Sequence, residues 1–260
     1  MKQTRWFVAP FLVFMILMVA VPFILLLAES FQADGGFSFE NFRLFFTDGI
    51  TLAVVWRSIW IALLVSSICL VIAYPVAYGL ALGGFKRGPV ILILFILPMW
   101  INLLLRAAAL RQLYGMLGIP VVGLLPLVIA LVLELLPLVI IPIYLVLTNV
   151  SKKYIEASQD LGASPFQTFR KATLPLSLPG IIIGFLFAFI PTVSNYAIAS
   201  YFGDNNTFMI GQRINFLLSM ATPQIGQAAV ISIALLLVIF IVLFITDRLS
   251  KIGNKRGGVW

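Results

Sequence analysis

Residues 154–165 read Tyr-Ile-Glu-Ala-Ser-Gln-Asp-Leu-Gly-Ala-Ser-Pro and continue through Thr173-Leu174-Pro175-Leu176-Ser177-Leu178-Pro179-Gly180. This polar, glycine-broken island lies between two long apolar runs. In hydrocarbon its backbone and side chains would lack partners, so it belongs at a membrane surface. Its helix signals predict a stiff projection. Ser151 caps a helix that includes Lys152 to Leu161, and Gly162 supplies the left-handed residue that ends it. Ser164, Pro165 and Gln167 occupy N-cap, N1 and N3 of a second short helix, a capping box. Pro175 is expected to stop that helix, and Pro179-Gly180 to mark re-entry into the membrane. Ala157, Ser158, Gly162 and Ala163 are small enough for a partner to approach closely, and Glu156 and Asp160 share one helical face. The bland alternative is an amphipathic loop lying on the bilayer.

The rest of the chain fits a membrane setting. Of its 260 residues 62% are hydrophobic and 10% charged, with a mean hydropathy of +1.12; soluble domains carry about 25% charged residues. A bilayer core takes roughly 20 apolar residues per helix, and on that measure about six spans emerge, near 7–28, 53–82, 89–112, 121–148, 180–201 and 227–247. The expectation is an all-α polytopic protein, one transmembrane domain over 1–260, with the polar segment at about 149–179. Pro75, Pro98, Pro137, Pro142 and Pro191 are expected to kink their helices. The first run is too long for a signal-peptide core and reads as an uncleaved span.

Charge placement orients the bundle. With both termini in the cytoplasm, Lys2, Arg5, Lys86, Arg87, Lys152, Lys153, Arg170, Lys171, Arg248, Lys251, Lys255 and Arg256 all fall inside, twelve of the seventeen basic residues. These clusters separate apolar runs, so the formal charge of +8 reads as topology and not as nucleic-acid binding. Outside, 29–52 predicts a loop with a short interfacial helix. Residues 202–226 predict a turn at Gly203-Asp204-Asn205-Asn206 and an amphipathic stretch around Ile214 to Met220.

The sequence has no histidine and one cysteine, Cys69. That excludes His-based catalysis, His-ligated metals and an intramolecular disulfide. No G-x-x-x-x-G-K-[ST] phosphate loop occurs. Polar groups inside the spans mark a candidate pathway, because an ionisable side chain at mid-membrane costs roughly 2.5–3.5 kcal/mol even on the lenient insertion scale. Glu134 is the acid deepest in an apolar run. It can pair with Arg106 or Arg111 as a structural bridge, or face a cavity and receive a cation. Thr192, Ser194, Asn195 and Tyr196 follow Pro191 where a break would expose polarity, or they bond to neighbouring helices. Trp100 and Asn102 are similar candidates.

Glu156-Ala157, Gly162 six residues after Glu156, and Leu174-Pro175 together resemble the EAA signature of membrane subunits of binding-protein-dependent ABC importers. The fuller stretch 156–180 is similar to the polyamine (spermidine/putrescine) permease branch. Ala73-Tyr74-Pro75-Val76-Ala77-Tyr78, Leu97-Pro98-Met99-Trp100-Ile101-Asn102 with Arg106, and Met209-Ile210-Gly211 add to the likeness, which covers roughly 55–245.

The resemblance implies a type I ABC importer permease of the bacterial inner membrane. It implies a second, similar permease, two ATPase subunits and an extracytoplasmic solute-binding protein as partners. ATP and magnesium would sit on the ATPase, with no cofactor on this chain. It assigns the island to the coupling helix, with Glu156, Ala157, Asp160, Leu161, Gly162 and Ala163 at the ATPase contact. Three departures stand out. Ser158 replaces the usual Ala, the segment after Arg111 is short, and the acids often found near Asn195 and Ser200 in polyamine-type subunits are missing. Thiamine-like cations, ferric iron, phosphonates and sulfate-type anions stay open as substrates. A stand-alone secondary transporter is the rival class; it calls for buried carboxylates and an inverted repeat, where the sequence offers one buried Glu and no repeat.

Overall fold

The computed structural model describes residues 4–33, 36–84, 87–150 and 152–256. Its elements in chain order are α1 (Thr4–Ser30), a two-strand hairpin β1 (Gln32–Ala33) and β2 (Gly36–Phe37), α2 (Glu40–Thr47), α3 (Gly49–Leu82), α4 (Gly88–Ile96), α5 (Leu103–Met116) and α6 (Leu124–Asn149). Then follow α7 (Lys152–Asp160), α8 (Pro165–Thr168), α9 (Leu174–Leu176), α10 (Leu178–Val193), α11 (Ala197–Phe202), α12 (Ile210–Leu218) and α13 (Ile225–Arg256). Among the described residues four helices are long and apolar enough to cross a membrane, and two bent pairs bring the number to six.

The bent pairs correct two expected spans. The stretch 89–112 is not one helix. α4 runs into a 3-10 turn at Leu97–Trp100, and α5 leaves at 93° to it. Pro98 cannot donate to the carbonyl four residues back; Ile101 turns extended, and Asn102 caps the new helix by accepting from the Leu104 N–H at 2.9 Å. The fifth span does not cover 180–201 either. α10 ends at Val193 and is 16 residues long, about 24 Å at 1.5 Å per residue, short of a hydrocarbon core of about 30 Å. Its bent partner is the segment Pro165–Leu176, set at 66° to it. Nor does Pro175 stop the preceding helix. A π-helical turn at Phe169–Thr173 carries the chain past it, with the Leu174 N–H bonded to the Phe169 carbonyl. Pro75, Pro137, Pro142 and Pro191 lie inside α3, α6 and α10 without ending them. Ser151 and Lys86 fall outside the described residues.

The core is the mutual contact of α3, α6 and α10. On α3 it is a stripe at four-residue spacing: Ile61, Val65, Cys69, Ala73 and Ala77, all buried. Its small members let α6 come close, with Leu127, Leu131, Val139, Ile140, Ile143 and Leu147 on the facing side. Lipid tails are as apolar as these side chains, so tight packing rather than escape from water holds spans together. Gly180 and Gly184, one turn apart on α10, meet α6 directly. A Cβ at Gly180 would lie 2.9 Å from the Pro142 carbonyl oxygen and 3.1 Å from the Ile143 Cα. Gly180→Ala is therefore expected to cost about 1–3 kcal/mol, the usual range for overpacking, measurable as a lowered unfolding midpoint in detergent. An unchanged midpoint would show that α10 does not depend on this contact. α1 packs on α13 and exposes apolar side chains such as Phe11, Phe14 and Ile16, as a span bathed in lipid does.

At the bundle end away from the polar island, an electrostatic clamp closes the loops. The Asp48 carboxylate accepts from the Thr51 hydroxyl at 2.5 Å, the Ile50 N–H at 3.0 Å and Arg213 Nη2 at 2.9 Å. The Thr51 bond foremost, then Ile50 and Arg213, hold its pKa below the usual carboxylate range against the opposing effect of burial. The expected turn after Gly203 forms: Asp204 Oδ1 accepts from the Asn206 and Thr207 N–H groups. Arg57 donates to the Asn205 carbonyl.

Candidate functional site: a polar elbow and an ion-paired cavity

The first site is the island. α7 ends in a Schellman arrangement: the Ala163 N–H donates to the Ser158 carbonyl at 3.1 Å and the Gly162 N–H to that of Gln159 at 2.8 Å. Gly162 takes φ +81°. The capping box forms in both directions, Gln167 N–H to Ser164 Oγ at 3.3 Å and Ser164 N–H to Gln167 Oε1 at 3.1 Å. Glu156, Ala157, Asp160, Leu161 and Gly162 are exposed, and Ala163 is half-buried. Leu161, 89% exposed, and Phe166, 69% exposed, put two large apolar side chains on an otherwise polar knob.

Several residues of this site escaped the sequence. Thr168 is buried, and its hydroxyl lies 3.2 Å from Ser158 Oγ, joining the two arms of the elbow. The serine that departs from the signature therefore makes a bond alanine lacks. The elbow is tied to the core through α3: Tyr74 Oη is 2.8 Å from Ser177 Oγ, and the rings of Tyr74 and Tyr78 meet the Phe169 edge at 5.8 and 5.9 Å. The tyrosine pair flanking Pro75 carried the signal, but nothing in the sequence named its partners.

The second site is a cavity of about 410 Å³ between the bent α4–α5 pair, α6 and α11. Arg106 and Glu134 line it, and Arg106 Nη2 donates to Glu134 Oε1 at 2.7 Å. The pair is about one-fifth exposed on each side, and Arg106 Nε is buried without a partner. Arg111 is engaged elsewhere, donating to the Tyr201 carbonyl at 2.8 Å. The other walls are apolar, among them Phe95, Leu103, Leu110, Ile198 and Phe202.

The remaining pathway candidates do not line the cavity. Trp100 is 86% exposed at the bend, and Asn102 caps α5 there. Thr192 is fully buried and its hydroxyl donates to the Ala188 carbonyl. Ser194 is exposed and bonds to the Ile190 carbonyl. Asn195 Oδ1 accepts from the Ala199 N–H and so starts α11, whose Ile198 and Phe202 reach the cavity. Tyr196 is half-exposed beside it.

Up to six apolar crossings among the described residues, one of them broken at an ion-paired cavity, and a rigid polar elbow joined to the core define a multi-pass membrane permease. The chain matches the family described as "Binding-protein-dependent transport system inner membrane component" over residues 1–255. It belongs to that family and is a multi-pass inner-membrane permease subunit of an ABC importer. It is 31% identical to the spermidine/putrescine transport system permease protein PotB of Haemophilus influenzae, over 93% of this chain and 92% of that protein. It is 30% identical to PotB of Escherichia coli K12, over 93% and 96%. Among solved structures it resembles a chain of a bacterial alginate ABC transporter in complex with a pentasaccharide-bound periplasmic protein, with TM-score 0.70, 15% identity, and 96% and 94% of the two chains covered. It also resembles a chain of the inward-facing MetNI methionine ABC transporter, with TM-score 0.64, 20% identity, and 78% and 95% covered. At those identities the structural likeness establishes the fold.

Proposed function

We propose that this permease imports polyamines, small aliphatic cations of the spermidine and putrescine type. It would do so with a companion permease, a pair of ATPase subunits holding ATP and magnesium, and an extracytoplasmic binding protein that selects the solute. The observation carrying this reading is the likeness of about three residues in ten to spermidine/putrescine permeases along nine-tenths of the chain. Both termini and the elbow lie in the cytoplasm, supported by the twelve basic residues that this orientation assigns to that side by sequence. Glu156, Ala157, Asp160, Leu161, Gly162 and Ala163 meet the ATPase. ATP-driven closure of that pair moves the elbow, and the tie through Phe169 and Ser177 passes the motion to α3.

The test is reconstitution. The four-component complex in liposomes, with binding protein outside and ATP inside, is expected to accumulate labelled spermidine or putrescine. Accumulation of thiamine, ferric iron or an oxyanion in their place would overturn the substrate class. Uptake by this subunit without any ATPase would overturn the coupling role of the elbow.

A further inference from the structure

Glu134 and Arg106 do more than neutralise one another. Both prolines in the cavity wall, Pro98 and Pro137, lack the N–H that would bond the carbonyl four residues earlier. Those carbonyls belong to Leu94 and Leu133, which also line the cavity. Two backbone acceptors in the cavity wall are thus deprived of their helical donors, in the same lining as the Glu134 carboxylate. Arg106 brings five N–H donors to this place, yet its Nε lies buried and unpartnered. The cavity therefore offers a few acceptors among hydrocarbon walls, closed by a cation that is imperfectly matched to them.

From this juxtaposition we infer that the cavity is a transit site for an aliphatic ammonium ion, in which the substrate's ammonium replaces Arg106 on the Glu134 carboxylate. The inference rests on the polyamine reading above and names the site where this chain would meet the substrate. One positive group leaves the carboxylate as another arrives, so no bare carboxylate is exposed to hydrocarbon, while the displaced Arg106 guanidinium swings off the carboxylate within the same cavity wall. The ammonium protons have the Glu134 carboxylate and the Leu94 and Leu133 carbonyls as acceptors. The methylene chain lies against Leu103, Leu110 and Phe202, which offer it nothing polar to satisfy. Exchange also keeps binding weak, because Arg106 competes for the same oxygens, and a transit site must release what it takes. The missing acids near Asn195 and Ser200 then leave Glu134 as the counter-charge on this subunit.

The measurement is equilibrium binding of labelled spermidine to the detergent-purified complex without its binding protein, over a range of salt. Arg106→Gln is expected to tighten binding about tenfold and Glu134→Gln to weaken it about tenfold or more, the scale of a hydrogen bond to a charged group. Opposite signs at the two ends are what competition for one carboxylate requires, and a purely structural bridge moves both in the same direction. The double variant Arg106→Gln/Glu134→Gln separates folding from binding. It should be recovered as a monodisperse complex yet remain as weak as Glu134→Gln. Loss of binding in both single variants, wild-type binding in the double variant, or no displaceable spermidine on the wild-type complex at millimolar concentration would each overturn the inference. If the wild-type complex imports no polyamine in liposomes, it is the substrate reading that fails. If it imports polyamine while the variants disobey these signs, only the transit site fails.

Discussion

Gly162→Val is expected to cut ATP-driven uptake sharply while leaving the subunit inserted and assembled. At φ +81° the position is one that L-residues occupy at a cost of roughly 1–2 kcal/mol, with β-branched side chains among the worst placed. The effect is conformational and not a clash, since no atom lies within 4 Å of a Cβ built there. The elbow is exposed, so the core of α3, α6 and α10 does not sense the change. What moves is the angle between α7 and α8, and with it the relation of Leu161 to Phe166. Both Schellman bonds and the Ser158–Thr168 contact depend on that angle. ATP hydrolysis by the assembled complex should then no longer respond to loaded binding protein, and uptake should fall by about tenfold or more, as a loss of 1–2 kcal/mol at a transmitting joint implies. Gly162→Asn is the graded control, because asparagine tolerates the left-handed region better and should retain part of the uptake. Wild-type uptake by Gly162→Val, measured beside its ATPase rate in the same liposomes, would remove the elbow from the transmission path.

The elbow was nearly complete in the sequence because its signals are local. Glycine at the helix end, Ser164 and Gln167 three apart, and Pro165 between them act through bonds within a few residues, and those bonds form as expected. The crossings were legible for a similar reason, since hydropathy needs no knowledge of partners. Breaks were harder. A proline inside an apolar run permits a kink or a full stop, and neighbours decide which. Pro98 joins a 3-10 turn followed by an extended Ile101 and a capping asparagine, so the run ends there. Pro137 and Pro142 stay within α6, where α3 and α10 pack on it. The π-helical turn before Pro175 had no sequence warning; it inserts an extra residue per turn where an α-helix would have clashed with the proline ring. At the cavity Glu134 stood out by its cost in hydrocarbon. The choice between Arg106 and Arg111 as partner rested on the fold of α5 against α6 and α11, which hydropathy does not encode.

Gly211→Ala is expected to destabilise the bundle end opposite the elbow. A Cβ there would lie 2.7 Å from the Ser194 carbonyl oxygen, 2.8 Å from that of Asn195 and 2.9 Å from the Asn195 carbonyl carbon. All three are backbone atoms at the break between α10 and α11, so no side chain can swing aside and α12 must lift. That displacement pulls on Met209 and Ile210, both fully buried, and on the 2.8 Å bond from the Ile210 N–H to Ser58 Oγ. Ser58 in turn donates to the Val54 carbonyl, so the strain reaches α3. Overpacking and a loosened buried hydrogen bond together are worth about 2–4 kcal/mol. The unfolding midpoint of the purified complex should therefore drop by roughly 5 °C or more. Ser58→Ala removes the hydrogen bond without forcing the backbones apart and should cost less. Gly115→Ala, in the last turn of α5 with no atom within 4 Å of the added methyl, should be neutral or mildly stabilising through helix propensity alone. The ranking is the test: a larger loss for Ser58→Ala than for Gly211→Ala would mean that α12 is held by its hydrogen bond and not by its seat on the broken helix.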